Sequence, residues 1–196
     1  RQPLWVSWLF VADRGFNIEA RIQQHRESER KAAFQRFLLP DGPLATSEEQ
    51  AINFKTLRYE PSFLYEGGFQ FKKHYFGSKP GELKETTPSG NLTEEFKCAQ
   101  FLDQLPEVQS WIRNLARKNS SFRLQTSKDW FYPDFICQLN NGPVVAVEYK
   151  GTHLYTDAEE KRAVGAVWES RSNGRCRFVM PTNNDFSPIL KAVGRA

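Results

Sequence analysis

Sulfur is scarce in this chain, whose 196 residues include three cysteines and one methionine. Cys98, Cys137 and Cys176 are odd in number, far apart and set in predicted helix or strand. That pattern excludes a disulfide scaffold or a clustered zinc site, and predicts reduced, buried thiols of a cytoplasmic protein. The one methionine is Met180 and the chain does not begin with it, so the sequence is expected to be part of a longer polypeptide. No apolar run approaches the roughly 20 residues that a spanning helix needs, and no secretory signal is recognisable, so no membrane partner is expected. Repeats and low-complexity tracts are absent. So is the Gly-X-X-X-X-Gly-Lys phosphate loop, which places any nucleotide-driven motor outside this chain. Charge of one sign is in small excess, 27 Lys and Arg against 23 Asp and Glu, for a net +4. Such a balance accommodates a phosphate-backbone partner and selects for none.

What is present concentrates between Trp130 and Gly151, WFYPDFICQLNNGPVVAVEYKG. Phe131 to Leu139 is aromatic and aliphatic enough for a strand, Asn140-Asn141-Gly142-Pro143 reads as a turn, and Val144 to Lys150 as a second strand. Side chains alternate along a strand, so Glu148 and Lys150 project from one face at its end while Val145, Val147 and Tyr149 fill the other. A hairpin returns Asp134 to that same end.

Two carboxylates and an ammonium then converge at one edge of an apolar sheet. Hard oxygen donors suit Mg²⁺, which is commonly held by one or two carboxylates with water and substrate phosphate completing its shell. A metal ion beside a scissile phosphate polarises it and lowers the pKa of a bound water, and a nearby lysine orients that water or stabilises developing charge. The competing reading is a surface hairpin with a salt bridge. Glu-X-Lys recurs by chance about once in a chain of this length. Its context raises it, because Pro-Asp lies on one strand, Glu-X-Lys on the next, and both charges end a run that should be buried.

The flanking chain supplies further elements. Leu4 to Val11 is too short for periodicity to separate strand from helix. Asn17 to Leu39 is helical in character, with Ile22, Ala33, Phe34, Phe37 and Leu38 as apolar positions and Pro40 to Pro43 as the stop. Arg21, Arg26, Arg30, Lys31 and Arg36 interleave there with Glu19, Glu27 and Glu29, which predicts a solvated face more than a DNA-binding one. Gly68 to Phe76 partly alternates like a strand that joins a sheet edge, and Ser78 to Gly90 reads as the main linker. A helix is expected from about Leu92, capped by Asn91 or Thr93, to Leu105, where Pro106 interrupts. On a helical wheel Leu92, Phe96, Ala99 and Leu102 form its apolar arc, with Cys98, Phe101 and Leu105 extending it. Glu95 falls near the middle of the arc and Glu94 near its edge. A carboxylate facing a core is costly unless paired or bound to a cation, which makes Glu95 a candidate third acidic group; the alternative is a helix-opening residue that favours the dipole. Val108, Trp111, Ile112 and Leu115 continue as a second amphipathic segment. Phe122 to Gln125 reads as a first strand, Asp157 to Ser172 as a helix with Ala163, Val164, Val167 and Trp168 inward, and Arg177 to Met180 as a closing strand. Lys161 and Arg162 can face the site or, beside Glu159 and Glu160, the solvent.

Asp134 after Pro133, followed by Glu148-Tyr149-Lys150, resembles the PD-(D/E)XK nuclease signature. WFYPDF with VEYKG is similar to the nuclease domain that ends the restriction subunit of type III restriction enzymes and related helicase-linked proteins. The resemblance covers about Leu92 to Met180 and includes the order helix, three strands, helix, strand. It implies an α/β fold over residues 89–196, a restriction-endonuclease-like core with a central mixed sheet flanked by helices. Residues 1–88 would then be a helix-containing appendage or connecting segment. The implied activity is Mg²⁺-dependent hydrolysis of DNA phosphodiester bonds, with Mn²⁺ able to substitute. Asp134, Glu148, Lys150 and Glu95 would be catalytic, and Asp134, Glu148 and Glu95 the metal ligands. The implied setting is a cytoplasmic restriction or phage-defence protein, with a helicase or translocase region in the same polypeptide or a partner subunit, and a homodimer for double-strand cutting. A nuclease-like fold that has lost cleavage and only binds DNA or a partner is the other class of function. An RNA-cleaving or repair nuclease shares every residue named.

Overall fold

The structure, a computed structural model, describes residues 18–30, 32–33, 53–151 and 156–195. The chain divides into two compact units, Arg1–Leu44 and Ala45–Ala196. In the first unit residues 18–30 form a helix (α1) that is exposed along its length, as its interleaved charges predict. The Leu4–Val11 run, Lys31, Phe34 to Leu39 and the Pro40–Pro43 stop lie outside the described residues. Among the described residues no helix is long and apolar enough to cross a membrane.

The second unit is mixed α/β, with a central mixed sheet flanked by helices. Its elements are α2 (Glu94–Gln104), β1 (Val108–Arg113), β2 (Leu124–Gln125), β3 (Trp130–Phe131), β4 (Phe135–Leu139), β5 (Val144–Val147), α3 (Thr156–Arg171), β6 (Cys176–Val179) and α4 (Ser187–Ala192). The sheet runs β1-β4-β5-β6, and β2 pairs with β3 in a separate ribbon. β1, β4 and β5 are antiparallel neighbours, whereas β6 returns parallel to β5 through α3. Gly142, at a φ of +104°, closes the β4–β5 hairpin in a backbone region that favours glycine.

Register sets the two faces. Trp111, Cys137 and Val145 are cross-strand neighbours, as are Phe135, Val147 and Val179, and all six join the main core with Phe96, Ala99 and Leu102 of α2. The alternate row, Ile112, Ile136, Ala146 and Phe178, faces the other way. There α3 comes so close that a Cβ on Gly165 would lie 2.1 Å from the Phe178 ring. A sheet covered on both faces explains why β5 reads as an unbroken apolar run.

Thr93 caps α2, its Oγ1 accepting from the Phe96 amide at 3.1 Å, and Glu94 and Glu95 fill the first turn. Leu92 precedes the helix and is exposed, so it leaves the expected apolar arc. Most of the Val108–Leu115 segment is the strand β1, which ends at Arg113, and not a continuation of helical structure. Its helical spacing arises because a register shift between Val108 and Ser110 and two covered faces leave Trp111 and Ile112 both buried, while its β-branched and aromatic residues favour a strand. The expected first strand shrinks to Leu124–Gln125 in the ribbon, and β1 takes its place in the sheet. Pro133, which lacks an amide to donate, divides the expected Phe131–Leu139 strand into β3 and β4. On α3, Val164 is buried but Ala163 is exposed.

Residues 53–88 belong to this unit too. Tyr65, Phe71 and Leu83 enter the same core as Phe96 and Trp111, so the Ser78–Gly90 segment runs within the unit and not between units. Gly68 to Phe76 forms no strand. It meets the sheet edge through one bridge, His74 to Trp111, with Trp111 donating its amide to Lys73 O at 2.9 Å. Asp103 holds that contact, because its buried carboxylate accepts from the amides of Lys72 (2.9 Å) and Lys73 (2.8 Å) and from Trp111 Nε1 (2.9 Å). Replacing it strands three donors in the interior, at roughly 1–3 kcal/mol for each one left unsatisfied. Asp103→Ala is expected to cost about 3 kcal/mol or more in urea unfolding, against under 1 kcal/mol for the exposed Asp129→Ala control.

Candidate active site

The end of the sheet where Asp134 and Glu148 meet follows from register. Phe135 pairs with Val147, so one step further out Asp134 stands opposite Glu148. The strand break that ends β3 is itself anchored by Asn114. That buried side chain donates through Nδ2 to Phe122 O (2.9 Å) and Pro133 O (2.8 Å) and accepts from the Phe122 amide (3.1 Å). Its own amide donates to Asp134 O at 2.9 Å. Beyond β5 the parallel ladder continues, with Glu148 N donating to Val179 O and Lys150 N to Pro181 O, each at 3.0 Å. Both halves of the Glu-X-Lys pair are therefore held by backbone.

The carboxylates are each met by cations. Arg113, at the end of β1, donates through Nη2 to Glu95 Oε2 at 2.7 Å and through Nη1 to Asp134 Oδ1 at 2.8 Å. Its guanidinium also lies 5.1 Å over the Phe135 ring. Asp134 Oδ2 accepts from the Tyr149 amide at 2.7 Å. Glu148 Oε1 lies 2.7 Å from Lys161 Nζ and 3.3 Å from Lys150 Nζ. Lys161 comes from α3 and lies 4.6 Å over the Phe131 ring. The site thus gathers Glu95, Asp134 and Glu148 with Arg113, Lys150 and Lys161, drawn from α2, β1, the β4 entry, the β5 exit and α3.

Burial sets the electrostatics. It pushes the Glu148 carboxyl up to about 7, aided by the Asp134 charge and opposed by Lys161 and Lys150. Glu95 is raised by burial and by Asp134, with Arg113 pulling the other way. Burial would lower the Arg113 guanidinium, but Asp134 and Glu95 outweigh it and hold it above its ordinary value. Lys161 is likewise raised, because its bonds to Glu148 outweigh its burial.

The site brings together Asp134, Glu148 and Lys150 as the hairpin predicts, and Glu95 joins through Arg113. Glu94 lies apart, its Oε2 only 3.3 Å from where a Cβ on Gly151 would stand. Of the two uncertain α3 cations, Lys161 reaches the site and Arg162 is exposed. Arg113 and Asn114 escaped the sequence reading, since the helical spacing assigned to 108–115 hid the strand that ends at them. As ligands, Asp134 and Glu148 offer the hard oxygens that Mg²⁺ takes, and burial beside a like charge gives both a need for a cation. Among the described residues, no group of three or more His, Cys, Asp or Glu gathers as a metal site. Asp134 and Glu148 could supply two carboxylates to an ion whose shell water or phosphate completes, and Glu95 is paired with Arg113.

No family model, curated protein or solved structure matches the chain.

Two expectations follow from these partners. Arg113→Gln leaves Glu95 and Asp134 without their counter-charge and should lower stability by about 3 kcal/mol; urea unfolding should show part of that loss recovered in Arg113→Gln with Glu95→Gln. For pH, Glu148 rises from 4.5 to about 7 on folding, so the folded state binds the extra proton between those values. Its contribution is fully present below pH 4.5 and is lost as pH rises through about 7. In EDTA, the stability of the wild type relative to Glu148→Gln should fall across that window, and a flat difference would contradict the assignment.

Proposed function

We propose that this chain is a Mg²⁺-dependent nuclease acting on DNA phosphodiester bonds, with a restriction-endonuclease-like core. The observation that carries the reading is the placement of Asp134 and Glu148 side by side at a sheet end with Lys150 3.3 Å from Glu148. Pro133-Asp134 and Glu148-Tyr149-Lys150 supply the same residues in the resemblance to PD-(D/E)XK nucleases. The order of helix, three sheet strands, helix and strand supports the proposed core, with β1 as the first of the three.

Asp134 and Glu148 would hold the ion, which when bound supplies a polarised phosphate and a more acidic water. The chain's own residues do the rest. Tyr149 N and Arg113 fix the two oxygens of Asp134, so its carboxylate is oriented before any ligand arrives. Lys150 and Lys161 neutralise Glu148 in the resting site, and an incoming phosphate oxyanion can draw their flexible ammonium groups off. Lys150 then faces the charge that develops on the phosphate. Glu95 acts at one remove, holding the guanidinium that orients Asp134. It is assigned as a positioning residue, with direct contact to the ion left to Asp134 and Glu148.

A second reading has an observation in its favour. Each of the three carboxylates already has a protein cation within 2.8 Å, which is what a nuclease-like fold that only binds would also display. Single-turnover cleavage of plasmid and linear DNA separates the two. Cleavage with Mg²⁺ or Mn²⁺, abolished by EDTA and by Glu148→Ala, is expected. Lys150→Met should lower the rate by about 100-fold or more, as removal of one transition-state contact does, while keeping the Mg²⁺-induced rise in Tm. Asp134→Asn should lose that rise together with activity. DNA binding without cleavage by the unmutated chain would leave the binding module as the function.

A further inference from the structure

The ribbon β2–β3 makes no pair with the main sheet, yet it enters the site directly, since Asp134 follows Trp130 by four residues. Its register, Leu124 opposite Phe131 and Gln125 opposite Trp130, gives it two unlike faces. Leu124 and Phe131 are buried. Phe131 packs edge-on to Phe178 and carries Lys161 over its ring, the same lysine that donates to Glu148. The outer face presents Trp130, still 37 % exposed, with the Arg123 guanidinium 4.6 Å from its ring centroid. Among the described residues no aromatic ring packs against Trp130. The indole therefore keeps part of its surface open to solvent, with Arg123 as the cation beside it.

The ribbon is also held in place. Thr126 donates its amide to Asp129 O at 2.9 Å, closing the turn, and the Ser127 amide donates to Glu160 Oε1 on α3 at 2.6 Å. Asp129 Oδ1 accepts from the Trp130 amide at 2.7 Å, so the adjacent carboxylate is engaged by backbone. Charge agrees with shape. Between residues 116 and 130 the chain carries Arg117, Lys118, Arg123 and Lys128 against Asp129, a net +3 where the whole chain has +4.

We propose that the outer face of this ribbon, Trp130 with Arg123, is a stacking platform for an unpaired DNA strand that feeds the phosphate backbone toward Asp134 and Glu148. An indole stacks on the face of any base, and an arginine lying on the same indole adds a cation beside the phosphates, so recognition would be tolerant of sequence. A base within a duplex has no free face to offer, which makes single-strand preference the signature. The assignment rests on the nuclease reading for its substrate, but it is tested without cleavage.

The test is fluorescence anisotropy of the whole chain in EDTA, with a labelled oligothymidylate and a blunt duplex of equal length. The wild type should bind the single strand more tightly than the duplex. Trp130→Ala should weaken single-strand binding about tenfold, with the duplex changed less than about twofold and Tm unchanged, and Trp130→Phe should recover most of the loss. Arg123→Gln should weaken binding and reduce the slope of log affinity against log salt by about 0.7, the value for one phosphate contact on a single strand. Unchanged single-strand binding in Trp130→Ala overturns the proposal, as does equal weakening of both ligands. If Trp130→Ala fails to fold, the Arg123→Gln salt slope decides, and an unchanged slope overturns the platform. Cleavage by the wild type with no Trp130 effect on binding would sink the platform alone. Trp130-dependent binding by a chain that never cleaves would sink the nuclease reading alone.

Discussion

Arg113 donates to two carboxylates that reach it from different elements, Glu95 from α2 and Asp134 from the entry to β4. The open end of the sheet is arranged around that guanidinium. Two carboxylates this close in a partly buried setting repel one another, and each loses hydration that only a cation or hydrogen-bond donors can replace. A planar fork can serve both at once, which a lysine at the end of β1 could not do with the same geometry. Asp134 is thereby oriented through Oδ1 by Arg113 and through Oδ2 by the Tyr149 amide, so its position follows from two strands at once.

The packing behind the site explains why such a cluster is tolerated. α2 covers one face of the sheet through Phe96, Ala99 and Leu102, and α3 approaches the other closely enough that Gly165 has no room for a side chain. Residues 53–88 close the β1 edge, with Asp103 gathering two amides and the Trp111 indole into one buried carboxylate. The apolar rows of the sheet end where the core ends, and the charged row begins one residue later with Asp134 and Glu148. Charge is thus confined to the rim of a core that supplies the rigidity.

At that rim the protein compensates its own charges. Three carboxylates face Arg113, Lys150 and Lys161 at distances of 2.7 to 3.3 Å. Burial still leaves Glu148 raised to about 7, so its compensation is incomplete. On the proposed reading the ligand brings both signs together, a divalent cation for the carboxylates and a phosphate for the ammonium groups. A metal ion without phosphate would have to displace the lysines, and a phosphate without metal would uncover Glu148. That reciprocity gives the proposed phosphodiester chemistry a physical reason to depend on joint binding, and the ribbon that carries Trp130 leads into the same place.

The β4–β5 hairpin, the helices at α2 and α3, and the meeting of Asp134, Glu148 and Lys150 were legible in the amino-acid sequence. Those features rest on local rules: a turn-forming Asn-Gly-Pro run, side chains alternating along β5, a Thr93 cap, and a short offset between Glu and Lys. The sequence did not determine β1, because Val108, Trp111, Ile112 and Leu115 satisfy helical spacing. Only two covered faces and a register shift show that a strand places them so. Nor did it reveal Arg113, Asn114 or Asp103 as partners, since each bonds to residues that are distant in the chain, such as Asp134, Pro133 and Lys72, and it left Lys161 open between the site and solvent, which its bond to Glu148 decides. Periodicity reports which side of an element faces inward, and it carries no information about what stands across the gap. The identity of the counter-charges, and so the electrostatics of the site, was decided by tertiary packing.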